Sequence, residues 1–411
     1  MGPERRDGTG APDVSKLSEM RFSEEKPPVA IPLTSSSRLG RMFLPVRGHS
    51  RGHDRERDGG HGGGEEAGRR AEPGSSTRSG RSGALKAVGL TLAGVLVLGA
   101  TAAGWAYWHL NGNITGVDIN NALGDNRPPR TLAAPSGEES DLPGGALNIL
   151  VLGSDSRSGT ENQELGGGDS EGARSDTAMV VHIDAGRTSA TVVSIPRDTL
   201  VARPSCPLDS GGWTAAAYSA MFNSAYSVGG PVCAVKTVES LTDVRMDHYV
   251  EIDFSGFAKL VDALGGVTVT TEQDIDDDKS HLHLEAGTHH LDGTRALALA
   301  RTRHGVGDGS DLGRIELQQM LVKAMLEEVT ATGLLNDPAR LYRVADAVTG
   351  SLTTDTGLDS LAELTTLARS LKGLPAENVR TVTLPVVTAP YNPNRVVAKE
   401  PEASELWESL R

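Results

Sequence analysis

The sequence predicts an α/β (α+β) fold, a mixed central sheet flanked by helices, preceded by a disordered tail and one transmembrane helix. Three observations predict it. From about Ala146 onward, short β-branched apolar runs alternate with segments of helical periodicity. Upstream, residues 84–110 form one long apolar run whose sole charge is Lys86 at its edge, and roughly 20 such residues cross a bilayer as a helix. Everything before that run is crowded with Gly, Ser, Arg and Pro, a composition that cannot bury enough apolar surface to offset its ordering entropy.

Residues 1–83 are therefore expected to be a disordered tail and 84–110 the anchor. Trp105, Tyr107 and Trp108 stand at the far end of the run, where an interfacial aromatic belt lies. A core helix would carry a polar stripe, and none interrupts this one. Residues 1–86 hold 16 Lys and Arg against 12 Asp and Glu. Arg69, Arg70, Arg78, Arg81 and Lys86 precede the span, and short basic flanks stay in the cytoplasm, so the rest of the chain is expected outside the cell membrane. The whole chain carries −14, which leaves −18 beyond residue 86. That acidity argues against nucleic acid as a partner, because phosphate-backbone binding needs a broad basic surface. The two cysteines, Cys206 and Cys233, both fall in the extracytoplasmic part. They are either a bridge or two independent buried thiols, and an oxidising compartment favours the bridge.

Residues 111–145 mix Gly, Pro, Asn and Asp without a period and read as a linker to a folded domain over 146–411. Leu147 to Gly153 suits a strand covered on both faces. Thr177 to Ile183 and Ala190 to Ile195 are further strands, with Ala185-Gly186-Arg187 as a tight connection between them. Tyr249 to Asp253, Val267 to Val269 and Val379 to Val386 complete the strands. Helices are expected at Val232 to Leu241, Phe254 to Leu264 (stopped by Gly265-Gly266), Gly293 to Leu299, Arg314 to Val329, Pro338 to Val348 and Leu358 to Leu371.

The chemistry lies in arginines placed at the ends of these core elements. Arginine keeps its proton, and its planar fork matches phosphate oxygens. Gly153-Ser154-Asp155-Ser156-Arg157 follows the first strand, where Asp155 could hold a cation or simply cap a turn. Arg174-Ser175-Asp176-Thr177 enters the second strand; Asp176 could share a magnesium ion with Asp155, or pair with Arg174 at the surface. Ser194-Ile195-Pro196-Arg197-Asp198 ends the third, with proline fixing the backbone ahead of two opposite charges. Arg301-Thr302-Arg303 lies at a helix end, so its two arginines need an extended backbone to point one way. Asp311, Arg314 and Gln318 open the strongest helix; the last two are four apart and share a face, near a positive helix end suited to anions. Phe254, Phe257, Leu260 and Met325 could line an apolar slot, although core packing is the commoner role for each. Asp274, Asp276, Asp277 and Asp278 lack the spacing of a calcium loop and read as a solvated acidic loop. His281, His283, His289 and His290 lack zinc-ligand spacing.

With Asn223-Ser224-Ala225-Tyr226 and Asp292-Gly293 added, these motifs resemble, in order, the signature of LytR–CpsA–Psr proteins over roughly Ala146 to Thr330. The resemblance implies a membrane-anchored glycopolymer ligase, which moves a phosphorylated glycan from a polyprenyl pyrophosphate carrier onto peptidoglycan with magnesium. It implies that Asp155 and Asp176 hold the metal, and that Arg174, Arg197, Arg301, Arg303, Arg314 and Gln318 bind the pyrophosphate. Arg197, Asp198 and Asp311 are the catalytic candidates, the two aspartates as possible general base. One departure stands out: Met221 occupies a place where the family often carries lysine. The short segment after Val386 gives no sign of an extra C-terminal domain. Two other readings share these residues, a polyprenyl pyrophosphate hydrolase with water as acceptor and a non-enzymatic envelope regulator that binds polyprenyl phosphate.

Overall fold

The computed structural model describes residues 80–130, 145–154, 175–208, 210–303, 311–331 and 337–411, with the side chains of 80–92, 311 and 331 outside that description. The expected tail falls almost wholly outside it. The first described elements are α1 (Gly80–Asn113), β1 (Thr115–Val117) and α2 (Ile119–Leu123). Val95, Leu96, Val97, Leu98, Trp105 and Trp108 of α1 are exposed, whereas Leu110 is buried. The last turns of α1 dock on the domain: the Asn111 Oδ1 accepts the Leu361 amide at 3.0 Å, and the His109 Nε2 lies 3.2 Å from Asp346. Among the described residues no helix is long and apolar enough to cross a membrane; the first part of the expected span, 84–92, lies outside the described side chains.

The sheet forms from the apolar runs. They are β2 (Leu147–Ser154), β3 (Ser175–Ile183) and β4 (Ala190–Ser194), then, after the small hairpin β5 (Leu200–Arg203) and β6 (Ala217–Met221) and the helix α3 (Ser224–Thr242), β7 (His248–Asp253). Helix α4 (Phe254–Leu264) leads to the short pairs β8 (Val267–Thr271) with β11 (Gly287–Leu291), and β9 (Ile275–Asp277) with β10 (Leu282–Leu284). Helices α5 (Gly293–Arg301), α6 (Asp311–Ala331) and α7 (Pro338–Thr349), strand β12 (Leu352–Asp355) and α8 (Leu361–Ser370) follow. Strand β13 (Val379–Thr383), the hairpin β14 (Val386–Ala389) and β15 (Asn392–Ala398), and α9 (Glu402–Glu408) end the chain.

Seven strands make one mixed sheet in the order β1-β12-β7-β2-β3-β4-β13. The predicted hairpin is present, with β3 and β4 antiparallel from Met179↔Ser194 to Ile183↔Ala190. Strand β2 sits at the centre, antiparallel to β3 and parallel to β7, and its alternation feeds two cores. Leu150 and Leu152 pack with Val232, Val235 and Val238 of α3 on one face. Ile149 and Val151 belong to a cluster with Leu367 of α8 on the other. A third core joins α4, α5 and α6 to the short strand pairs through Val261, Leu299, Leu317 and Leu321. The result is a sheet with helices on both faces, as the sequence predicted.

Three expectations need correction. Part of the stretch read as a linker belongs to the domain: β1 pairs in parallel with β12, and Ile119 is 3% exposed in the main core. Its three-residue strand and short helix are too brief to show a period. The run Val379 to Val386 is two strands rather than one. Leu384 still donates its amide to Ser194 at 2.9 Å, but Pro385 has no N–H to continue the ladder. Helix α3 starts earlier than its apolar period, because a kink at Gly229 and Gly230 ahead of Pro231 joins a first piece, from Ser224, to the periodic one.

Candidate functional site

The parallel strands β2 and β7 end side by side at Ser154 and Asp253. Ligands in open α/β sheets gather beyond such carboxyl ends. A cavity of about 400 Å³ opens there, between the sheet and the layer of α4, α5 and α6. Its apolar floor is Val151, Met179 and Ile252 from the strands, and its apolar wall is Phe254 and Phe257 of α4 with Leu321 and Met325 of α6. Two further signals bring the helices close. Asp253 and Asp292 cap α4 and α5 by accepting the Gly256 and Arg295 amides at 2.7 and 2.8 Å. Gly293 lets α5 approach α4 so closely that a Cβ there would lie 2.1 Å from the Ala258 carbonyl oxygen.

The polar end of this cavity carries Asp176, Arg301, Arg303, Arg314 and Gln318. Arg314 is 3% exposed and donates from Nη2 to the Asp176 carbonyl at 3.1 Å. Gln318, one turn on, donates to the Ala300 carbonyl at 3.1 Å and ties α6 to α5. The Arg301 guanidinium stacks on Phe254, 5.0 Å from the ring centroid. Helix α5 ends at Arg301, and Thr302 turns the chain to φ −59°, ψ 133°. That extended step lets two arginines two residues apart reach the same cavity, as the spacing required. Beside the cavity, the Arg197 Nη1 donates to the Asp176 Oδ1 at 2.8 Å, so Arg197 joins the cluster through Asp176. Asp198 does not line the cavity. It lies 3.9 Å from Arg197 Nε on one side and 3.9 Å from Arg395 Nη1 on the other. Asp155 and Arg174 lie outside the described residues, as does the side chain of Asp311.

The Asn223–Tyr226 motif serves the sheet beneath. Tyr226 and Tyr249 donate their hydroxyls to the two oxygens of the buried Glu251, at 2.6 and 2.5 Å. Burial pushes the Tyr249 phenol well above its usual value, and the adjoining Glu251 carboxylate adds to the rise. The Cys206–Cys233 bridge is formed, with sulfurs 2.04 Å apart, and joins the segment after β5 to α3.

The site also holds groups the sequence reading passed over. Asp277, read as part of a solvated acidic loop, is 2% exposed and lines the cavity with Lys279 and Ser280. The alternation in Ile275-Asp276-Asp277 was the available signal, since it places Ile275 and Asp277 on one buried side and Asp276 outside. Asp253 lines the cavity as well. Of the proposed apolar lining, Phe254, Phe257 and Met325 reach the cavity and Leu260 does not. Asp276, Asp278 and His283 bring their ligand atoms within 4.8 Å of one another on the exposed side of the same hairpin.

Comparison with known proteins identifies the architecture. A model of the LytR_cpsA_psr family matches residues 106–411. The chain belongs to this family. LytR_cpsA_psr relatives include the probable cell wall biosynthesis protein LcpB of Corynebacterium glutamicum, 34% identical over 295 residues, which covers 70% of this chain and 66% of that protein. The polyisoprenyl-teichoic acid–peptidoglycan teichoic acid transferase TagU of Halalkalibacterium halodurans is 33% identical over 219 residues, 53% of this chain and 64% of that one. The matched stretch thus spans just under two thirds of these relatives' own length. Among solved structures, the LytR-Csp2A-Psr enzyme from Actinomyces oris superposes with a TM-score of 0.51 at 25% identity, over 69% of this chain and 96% of that one.

Proposed function

We propose that this protein transfers a phosphorylated glycopolymer from a polyprenyl pyrophosphate carrier onto peptidoglycan. The observation that carries the reading is the two-ended cavity. Three arginines and Gln318 meet Asp176 at one end, and aromatic and aliphatic side chains form the other. A pyrophosphate esterified to a long hydrocarbon needs this pairing of fixed positive charge with an apolar slot. The names of TagU and LcpB agree with it.

In this reading a peptidoglycan hydroxyl attacks the glycan-linked phosphorus. A new P–O bond forms to the acceptor, the bond to the bridging oxygen breaks, and polyprenyl phosphate leaves with that electron pair. Arg301, Arg303 and Arg314 hold the pyrophosphate and neutralise the charge that grows on the departing phosphate. Arg197, oriented by Asp176, supports the same oxygens from the rim. The acceptor proton passes to a carboxylate. Asp198 stands off the cavity between two guanidiniums, which leaves Asp311, at the start of α6, as the candidate of the two.

Hard carboxylate oxygens suit magnesium, and Asp176 presents one such group at the cavity, with its Oδ1 already accepting from Arg197. We infer that Asp155 with Asp176 would hold the ion. Bound there, magnesium would add positive charge beside the phosphate oxygens. The exposed apolar face of α1, together with the basic residues upstream, supports a single membrane anchor with the cavity on the extracytoplasmic side.

Purified protein given lipid-linked glycan and peptidoglycan tests the reading. Polymer attached to peptidoglycan supports it, and free polymer alone points instead to hydrolysis.

A further inference from the structure

The β9–β10 hairpin bears on the mouth of the cavity through one buried carboxylate. Asp277 Oδ2 accepts the Arg303 amide at 2.8 Å, and its Oδ1 accepts the Lys279 amide at 2.9 Å. A single side chain thus fixes the backbone of two cationic residues from two chain segments. A second staple reinforces it: the Ser280 and Thr302 hydroxyls lie 2.8 Å apart, and Thr302 is wholly buried. Lys279 and Arg303 both line the cavity. Arg314 already binds the Asp176 carbonyl and Arg301 rests on Phe254. Among the described residues, by contrast, neither the Lys279 ammonium nor the Arg303 guanidinium has a protein partner. Asp277 anchors both residues at the cavity, so an anion entering there meets two cationic side chains that no described protein group already engages.

We propose that Lys279 is a further substrate-binding residue, which pairs with Arg303 on the outer phosphate of a pyrophosphate ester, and that Asp277 is the positioning residue that sets the two. The inference rests on the transferase reading and adds to it a contact that discriminates a diphosphate from a single phosphate. The deep arginines hold the first phosphate, and the hairpin supplies the second cation pair at the mouth. Asp277 acts through the backbone of Arg303 and Lys279.

The test titrates the full chain, in detergent, with inorganic pyrophosphate and separately with inorganic phosphate. Lys279→Ala is expected to weaken pyrophosphate binding about three- to fivefold, the scale of one solvent-exposed ion pair. It should leave phosphate binding unchanged and flatten the salt dependence of pyrophosphate binding, and Lys279→Arg should restore affinity. Asp277→Asn should weaken pyrophosphate binding and combine non-additively with Arg303→Ala, which a general loss of folding would not produce. Wild-type affinity in Lys279→Ala, while Arg314→Lys weakens binding, would make Lys279 an ordinary solvated lysine and leave the transferase reading standing. If Arg314→Lys also binds like wild type, the reading of the cavity falls and this inference falls with it.

Discussion

Arg314→Lys is the sharpest probe of the cavity, because it keeps the charge and removes the fork. Arg314 is 3% exposed, donates from Nη2 to the Asp176 carbonyl at 3.1 Å and lines the cavity. Lysine offers one compact ammonium that cannot serve the carbonyl and a phosphate in the same planar geometry. Losing one charge-assisted hydrogen bond costs about 1.5–3 kcal/mol. At about 1.4 kcal/mol per tenfold, that is a roughly 10- to 150-fold loss of affinity for inorganic pyrophosphate. Calorimetric titration at fixed ionic strength and fixed magnesium reads it directly, and a thermal melt of the same sample reports the separate cost of the orphaned carbonyl. A change under about threefold in a folded variant would show that the guanidinium geometry does not bind the diphosphate and would refute the reasoning.

Other perturbations probe the slot, the bridge and the sheet. Phe257→Ala should weaken polyprenyl phosphate binding about tenfold, the scale of losing part of an aromatic contact, yet leave inorganic pyrophosphate binding within error; equal losses for both ligands would contradict an apolar slot. Replacing Cys206 and Cys233 by alanine opens a bridge that spans 27 residues and should lower stability by about 3.5 kcal/mol in urea unfolding, with a loss below about 1 kcal/mol as the contrary result. Burial pushes the Asp355 carboxyl up, but the hydrogen bond and charge of His248 and the amides of Tyr249 and Gly357 outweigh it and hold the group below the usual carboxylate range. A depressed value contributes stability that is present above the unfolded value of about 3.9 and is lost as the pH falls through the folded one. Asp355→Ala should therefore cost about 3 kcal/mol at neutral pH, with the gap to wild type closing in acid; a gap independent of pH would contradict the pairing.

The sequence reading succeeded where periodicity and burial agree. Leu147 and Ile149 to Leu152 are apolar because both faces of the strand are covered, and Phe254–Leu264 is bounded by its cap and by the left-handed Gly265. Arginines in those contexts were conspicuous, and Arg301, Arg303 and Arg314 do converge on one cavity. The misses have a common physical cause. Short elements such as β1, β9 and β10 complete no period, so their stability comes from partners distant in sequence, as when β1 finds β12. Asp277 looked like one more acid in a solvated loop because the hairpin that buries it depends on Leu282 and Leu284 across the turn. Asp198, adjacent in sequence to Arg197, seemed equally functional; a proline-set turn sends it toward Arg395 on β15 instead.

The most direct measurement is a crystal structure of residues 106–411, the part the family model matches, soaked or grown with a polyprenyl pyrophosphate. The account predicts the diphosphate against Arg301, Arg303 and Arg314, and the hydrocarbon running between Phe254, Phe257 and Met325. A headgroup bound on another face, or a tail excluded from that apolar wall, would contradict it.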